Sequence, residues 1–136
     1  MKAIYLLSED VTRIRHVQEA TLHRDDAGLK ITHGLYGSED WWDSIKSGVL
    51  HTTTIKGVIS KVYMSGHNDY PEFEILSNDG HKTSWTRDVN NGFDDNVYKV
   101  GKKIEIDFVL QKFKNVCPIL GEDSKCVIEI RIENEL

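Results

Sequence analysis

At 136 residues the chain has the length of one ordinary domain. A chain this long buries about two-thirds of its unfolded surface and needs no disulfide or metal staple to fold. Hydrophobic residues at 39% and charged residues at 29% exclude a disordered chain, and no segment approaches the roughly 20 apolar residues of a membrane-spanning helix. The net charge of -5 lies wholly in the second half: residues 1–68 balance 8 Lys+Arg against 8 Asp+Glu, whereas residues 69–136 hold 9 against 14. That sign disfavours a surface built to grip nucleic-acid phosphates. It suits a basic protein partner, or simply keeps the protein soluble.

Strand patterns dominate the chain in order. The apolar run Ala3–Leu7 is shorter than the roughly 7–15 residues of a secretory core, so Lys2–Leu7 reads as a first strand and the chain as cytoplasmic. Ile14–His23 reads as a second strand, with Val17, Ala20 and Leu22 in imperfect alternation. After the turn cluster Asp25-Asp26-Ala27-Gly28, Leu29–His33 alternates and is expected to pair back on it as a hairpin. Glu39–Ser47 is the one predicted helix. Ser38 is its N-cap, Glu39 and Asp40 lie in its first turn, and Lys46 and Gly48 mark its end. Trp41 and Ile45 share one face of it, which points to packing of Trp41, flanked by Trp42, into a core rather than to a ligand site.

The remainder reads as β. Ile55–Met64 is a long strand in which Gly57 marks a bulge or bend. Tyr70–Ser77 and His81–Arg87 flank Asn78-Asp79-Gly80, a hairpin signal. Asp88–Asn96 is a polar loop. Ile104–Phe113 alternates, with Ile104, Ile106, Phe108 and Leu110 on one side. The last strand, Cys126–Glu133, does the same with Cys126, Ile128, Ile130 and Ile132. This order fits a small five-stranded OB-like or SH3-like barrel. The expectation is therefore a mainly β fold in a single domain, 1–136. Residues 50–136 would form the barrel core, and residues 1–49 a β-hairpin extension with one short helix. Cys117 and Cys126 bracket a loop that a disulfide could close, but reduced thiols fit a cytoplasmic chain, and Cys126 sits in an apolar strand pattern.

The central hairpin is the most informative piece for function. A two-residue turn at Asp79-Gly80 would place Asn78 opposite His81, Leu76 opposite Thr83, Glu74 opposite Trp85 and Glu72 opposite Arg87, all on one outer face. Three readings compete for that face. One is a solvated sheet with a Glu72–Arg87 cross-strand ion pair. Another is a protein-binding surface, since Trp, Tyr and Arg make interface hot spots and Tyr70, Trp85 and Arg87 would lie close together. The third is a carboxylate site on Glu72 and Glu74, about 7 Å apart along a strand.

Stacking of bases on Tyr63, Tyr70 and Trp85, with Lys61, Lys82 and Arg87 nearby, is a fourth use. A second basic cluster, Lys99, Lys102, Lys103, Lys112 and Lys114, is interrupted by Glu105 and Asp107. The six histidines form no metal motif; His67-Asn68-Asp69 reads as a solvated loop. No nucleotide or nucleophile signature is present, so no metal and no cofactor is implied. The function expected is a non-enzymatic binding protein recognising another protein, as an inhibitor, immunity-type protein or accessory subunit. The residues expected to carry it are Tyr63, Tyr70, Glu72, Glu74, His81, Trp85 and Arg87. A single-stranded nucleic-acid or small-ligand binder is the alternative, and a carboxylate-based hydrolase comes third. Either a monomer or a homodimer fits, because exposed strand edges leave pairing between copies open.

Overall fold

A computed structural model describes residues 1–117 and 121–134. Among the described residues the fold is mainly β, with six antiparallel strands and two α-helices. In chain order these are β1 (Lys2–Leu6), α1 (Val11–His23), α2 (Glu39–Lys46), β2 (Thr52–Ser65), β3 (Tyr70–Ser77), β4 (Lys82–Thr86), β5 (Lys103–Cys117) and β6 (Gly121–Ile132). The strands form one sheet in the order β1-β6-β5-β2-β3-β4. Two compact units divide the chain. The first comprises Met1–Leu6, Thr54–Asp107 and the residues from Glu129 onward; the second comprises Leu7–Thr53 and Phe108–Ile128.

The first unit holds the strand meander. Its core is Ile4, Tyr5, Ile59, Phe73, Ile75, Trp85, Tyr98, Ile104, Ile106, Ile130 and Ile132, all buried. The rings of Phe73 and Tyr98 meet at 4.6 Å between centroids. Burial drives the Tyr98 hydroxyl pKa up, so the neutral phenol donates a 2.6 Å hydrogen bond to the Asp88 carbonyl. Gly57 is present because β3 passes too close for a side chain: a Cβ there would lie 2.2 Å from the Leu76 carbonyl oxygen. The bulge itself falls three residues later, where the β2–β3 register shifts between Ile59 and Lys61. It allows Ile59 and Val62 both to face the inner side, opposite Ile75 and Phe73.

The hairpin register differs from the two-residue turn by one residue. Glu72 pairs with Thr86, Phe73 with Trp85, Glu74 with Ser84, Ile75 with Thr83 and Leu76 with Lys82. The loop is three residues long: Gly80 N–H donates to the Ser77 carbonyl at 2.9 Å, and Ser77 N–H to the His81 carbonyl at 2.8 Å. Gly80 closes it in the left-handed region at φ +88°. A one-residue slip moves every side chain of β4 to the other face. Trp85 therefore points inward against Phe73 and is only 6% exposed.

The second unit holds both helices. Residues Ile14–His23, expected as a strand, lie in α1 instead. Asp10 caps the helix, its carboxylate accepting the Arg13 N–H at 3.1 Å. Leu22, which the alternation placed with Val17 and Ala20, is 54% exposed, while Thr21 is buried. Ile14, Val17, Gln18 and Thr21 follow helical spacing instead. The β-branched Val, Ile and Thr content biased the reading towards strand.

Lys114 anchors the far end of α1: its ammonium donates to the carbonyls of Ala20 at 3.5 Å, Thr21 at 2.7 Å and also Arg24. They lie at the C-terminal end of the helix, where positive charge is favoured; the Ala20 carbonyl also accepts the N–H of the C-cap Arg24 at 3.2 Å. With α1 helical, Leu29–His33 has no hairpin partner. Leu29 forms an isolated bridge to Phe113 of β5, the Lys30 N–H donates to the Lys112 carbonyl at 2.8 Å, and the Leu29 N–H donates to the buried Thr21 hydroxyl at 3.1 Å.

The second helix, α2, begins as expected at the Ser38 cap. Trp41 is fully buried, with Tyr36 and Trp42 rings at 4.8 and 4.9 Å. Its indole N–H donates to the buried Gln111 side chain at 2.9 Å, and Gln111 in turn donates to the Lys30 carbonyl at 2.8 Å. Gln111 lies inward because β5 changes phase: Phe108 and Val109 are both buried, and Leu110, expected inside, is 49% exposed. Cys126 is free and buried, and burial pushes its thiol up to about 11. The Cys117 side chain and residues 118–120 lie outside the described residues, and with them the disulfide that could join Cys117 to Cys126.

Trp85→Ala removes a buried indole, so it is expected to cost about 3–5 kcal/mol of stability. Urea unfolding checks this; an unchanged midpoint would return Trp85 to the outer face.

Candidate protein-binding surface

The outer face of β2, β3 and β4 is assembled from cross-strand pairs. Val58 lies opposite Leu76, Lys61 opposite Glu74, Tyr63 opposite Glu72 and Ser65 opposite Tyr70. Of the residues singled out from sequence, Tyr63, Tyr70, Glu72 and Glu74 come together here. The Tyr63 hydroxyl donates to the Glu72 carboxylate at 3.1 Å, and the Ser60 hydroxyl to the Glu74 carboxylate at 2.9 Å. The Lys61 ammonium sits 4.7 Å from the Tyr63 ring centroid, within cation–π range. These bonds hold both carboxylates and one aromatic ring in fixed positions on rigid strands. Tyr70 is 63% exposed beside them, and Val58 and Leu76 add an exposed apolar pair at 37% and 40%.

The other three residues lie elsewhere. Trp85 is on the inner face, its indole N–H bonded to the Thr83 hydroxyl at 2.8 Å. Arg87 shares Trp85's side of β4 and makes no Glu72 pair. Its guanidinium donates to the Tyr63 carbonyl at 3.1 Å and the Met64 sulfur at 3.2 Å, and lies 3.5 Å from the Asp95 carboxylate. Arg87 is therefore a brace tying β2 and the loop after β4 together. His81 is exposed at the hairpin tip, 3.0 Å from Asp79, whose carboxyl is held below its ordinary pKa by hydrogen bonds from His81. The alternation of β3 already places Leu76 on this outer face, whereas Val58, Ser60 and Lys61 are not among the binding residues named from sequence; the place of Lys61 and Tyr63 on it follows from the register shift between Ile59 and Lys61.

Two lysines of the interrupted basic cluster are engaged within the second unit. Lys112 pairs with Glu122 and Asp123, both at 3.7 Å, and Lys114 is spent on α1. Among the described residues no cluster of His, Cys, Asp and Glu could hold a metal ion, and no helix is long and apolar enough to cross a membrane.

A second polar array lies on β2, β5 and β6 of the first unit. The Arg131 guanidinium bonds Asp107 at 2.7 and 3.0 Å, Glu129 at 2.6 Å and Glu105 at 3.2 Å. The Thr54 hydroxyl donates to Asp107 at 2.6 Å. The bidentate guanidinium, then the hydroxyl, holds the Asp107 carboxyl below its ordinary pKa. Its contribution to stability is complete above the unfolded value of about 3.9 and is lost as pH falls through the lower native value. Asp107→Asn is therefore expected to lower the melting temperature at pH 6. That gap from wild type should narrow as pH falls below the unfolded value of about 3.9, and a gap unchanged in acid would refute the linkage.

No curated protein matches the chain. A family model, described as Immunity protein RhsI2, matches residues 1–133. That match covers both compact units and every strand of the sheet. It agrees with a protein that works by binding another protein rather than by catalysis. The chain belongs to the RhsI2 immunity protein family.

Proposed function

We propose that the chain neutralises a toxin by binding it through the outer face of β2, β3 and β4, with Tyr63, Tyr70, Leu76, Glu72 and Glu74 as contact residues. The carrying observation is the hydrogen-bonded array Tyr63–Glu72 and Ser60–Glu74 beside the exposed Tyr70 ring. Tyrosines on rigid strands supply contact area with little conformational entropy left to lose. Carboxylates already fixed in place favour a basic counterpart, and the acidic second half of the chain steers such a partner towards it. Trp85 and Arg87 support the face from behind, and His81 lies at its tip. The compartment proposed is the cytoplasm, where the buried Cys126 thiol stays reduced.

Tyr70→Ala is expected to weaken the toxin complex by about 2 kcal/mol, the scale of a hot spot. The melting temperature should hardly move, because the ring is mostly exposed. Calorimetric titration of the purified pair checks the first and thermal unfolding the second. Undiminished affinity in both Tyr70→Ala and Tyr63→Ala would remove this face from the interface. Added salt is expected to slow association more than it speeds dissociation; a salt-independent association rate would refute the steering.

A further inference from the structure

The two edges of the sheet are finished differently. At the β1 edge Asn90 acts as a one-residue partner strand. Its N–H donates to the Ile4 carbonyl at 2.9 Å, its side-chain oxygen accepts the Leu6 N–H at 3.0 Å, and its side-chain amide donates to the Leu6 carbonyl at 2.8 Å. The β4 edge has no such cover. Ser77 N–H bonds the His81 carbonyl and Arg87 N–H the Pro71 carbonyl. By the alternation of an antiparallel ladder, the His81 carbonyl, both backbone groups of Thr83 and Trp85, and the Arg87 N–H face β3, while the His81 N–H bonds the Asp79 carboxylate. Lys82, Ser84 and Thr86 turn theirs outward. Asp88 N–H takes the Thr86 carbonyl at 2.8 Å. The N–H and C=O of Lys82 and Ser84, and the N–H of Thr86, have no partner among the described residues. The edge contains no proline and no bulge, two of the devices that ordinarily block strand addition.

We infer that β4 takes an extended segment of the toxin as a seventh strand, lengthening the outer face by one row. The inference rests on the toxin-binding reading above. The occupant is a toxin segment with backbone groups in step with Lys82 and Ser84 and an acidic side chain beside Lys82. Lys82 is the only charged side chain of β4. A second copy is the poorer occupant, because its own β4, Lys-Thr-Ser-Trp-Thr, offers no carboxylate and it brings a further net charge of -5. Main-chain bonds supply the attraction in this mode of recognition, and alternate side chains the choice of partner.

Ser84→Pro tests it. The Ser84 N–H points outward, so proline removes no internal bond, and edge positions of this kind tolerate it. The probe is the toxin that co-purifies one-to-one with the tagged wild-type chain. Ser84→Pro is expected to bind it at least tenfold more weakly with an unchanged circular dichroism spectrum, while Ser84→Ala binds as wild type. Should Ser84→Pro unfold, hydrogen exchange on the wild-type chain decides. The Lys82, Ser84 and Thr86 amides slow on adding toxin if the inference holds, and their unchanged exchange overturns it. Equal binding by a folded Ser84→Pro overturns the edge alone and leaves the face reading standing. Failure of the wild-type chain to hold any toxin overturns both. A wild-type dimer that Ser84→Pro converts to monomer assigns the edge to a second copy and overturns the inference.

Discussion

Gly80 stands at the tip of the β3–β4 hairpin in a left-handed conformation that a residue with a Cβ adopts only at a cost. That conformation closes a three-residue loop, and loop length sets register. Register in turn decides which row of β4 meets the core. Trp85 and Thr83 go inward, and Lys82, Ser84 and Thr86 go outward along the edge. The composition of the outer face, the brace that Arg87 makes behind it and the free backbone groups of β4 all follow from this one offset. Asp79 reinforces it locally, accepting the His81 N–H at 3.1 Å.

The second unit depends on polar anchors placed where apolar packing alone would not select a geometry. Its buried polar side chains, Thr21 and Gln111, each satisfy a partner that would otherwise be stranded. Thr21 takes the Leu29 N–H, and Gln111 links the Trp41 indole to the Lys30 carbonyl. Buried donors and acceptors left unpaired cost about 1–3 kcal/mol each, so these contacts specify how helix, loop and strand meet. Gly28 makes the first of them possible: a Cβ there would lie 2.5 Å from the Thr21 Cα.

For an immunity-type protein the consequence is a division of labour within the first unit. The inner rows of β2, β3 and β4 hold the core, leaving the outer rows free to vary in charge and aromatic content without disturbing the fold. The Arg131 array on β2, β5 and β6 differs in character. Its one guanidinium is engaged at close range by three carboxylates, which suits a stabilising patch better than a recognition surface, since a partner would have to replace bonds already made.

Several features were legible in the residues themselves. β3 and α2 could be read to within a residue, because alternation in Tyr70–Ser77 and a Ser cap with acidic first turn at Ser38–Asp40 are local signals with local causes. The inward row of β6 and the burial of Trp41 and Cys126 followed from the same kind of pattern. The immunity-type function was reached as one of three kinds of protein binder, from the absence of catalytic motifs and the placement of charge, and the family match bears it out. The helix α1 escaped because its β-branched residues mimic a strand, and its stabilising partner, Lys114, lies 90 or more residues away in sequence.

The face of Trp85, the inward turn of Gln111 and the partners of Arg87 depended on a glycine's backbone angle, on phase changes in β2 and β5, and on long-range contacts. Local sequence determined α2 and the strands from β2 onward, because periodicity and caps act within a few residues, but not α1. Only the tertiary structure decided which side of β4 and of the second half of β5 is the outside, because a shift of one residue costs nothing in local propensity and reverses every side chain.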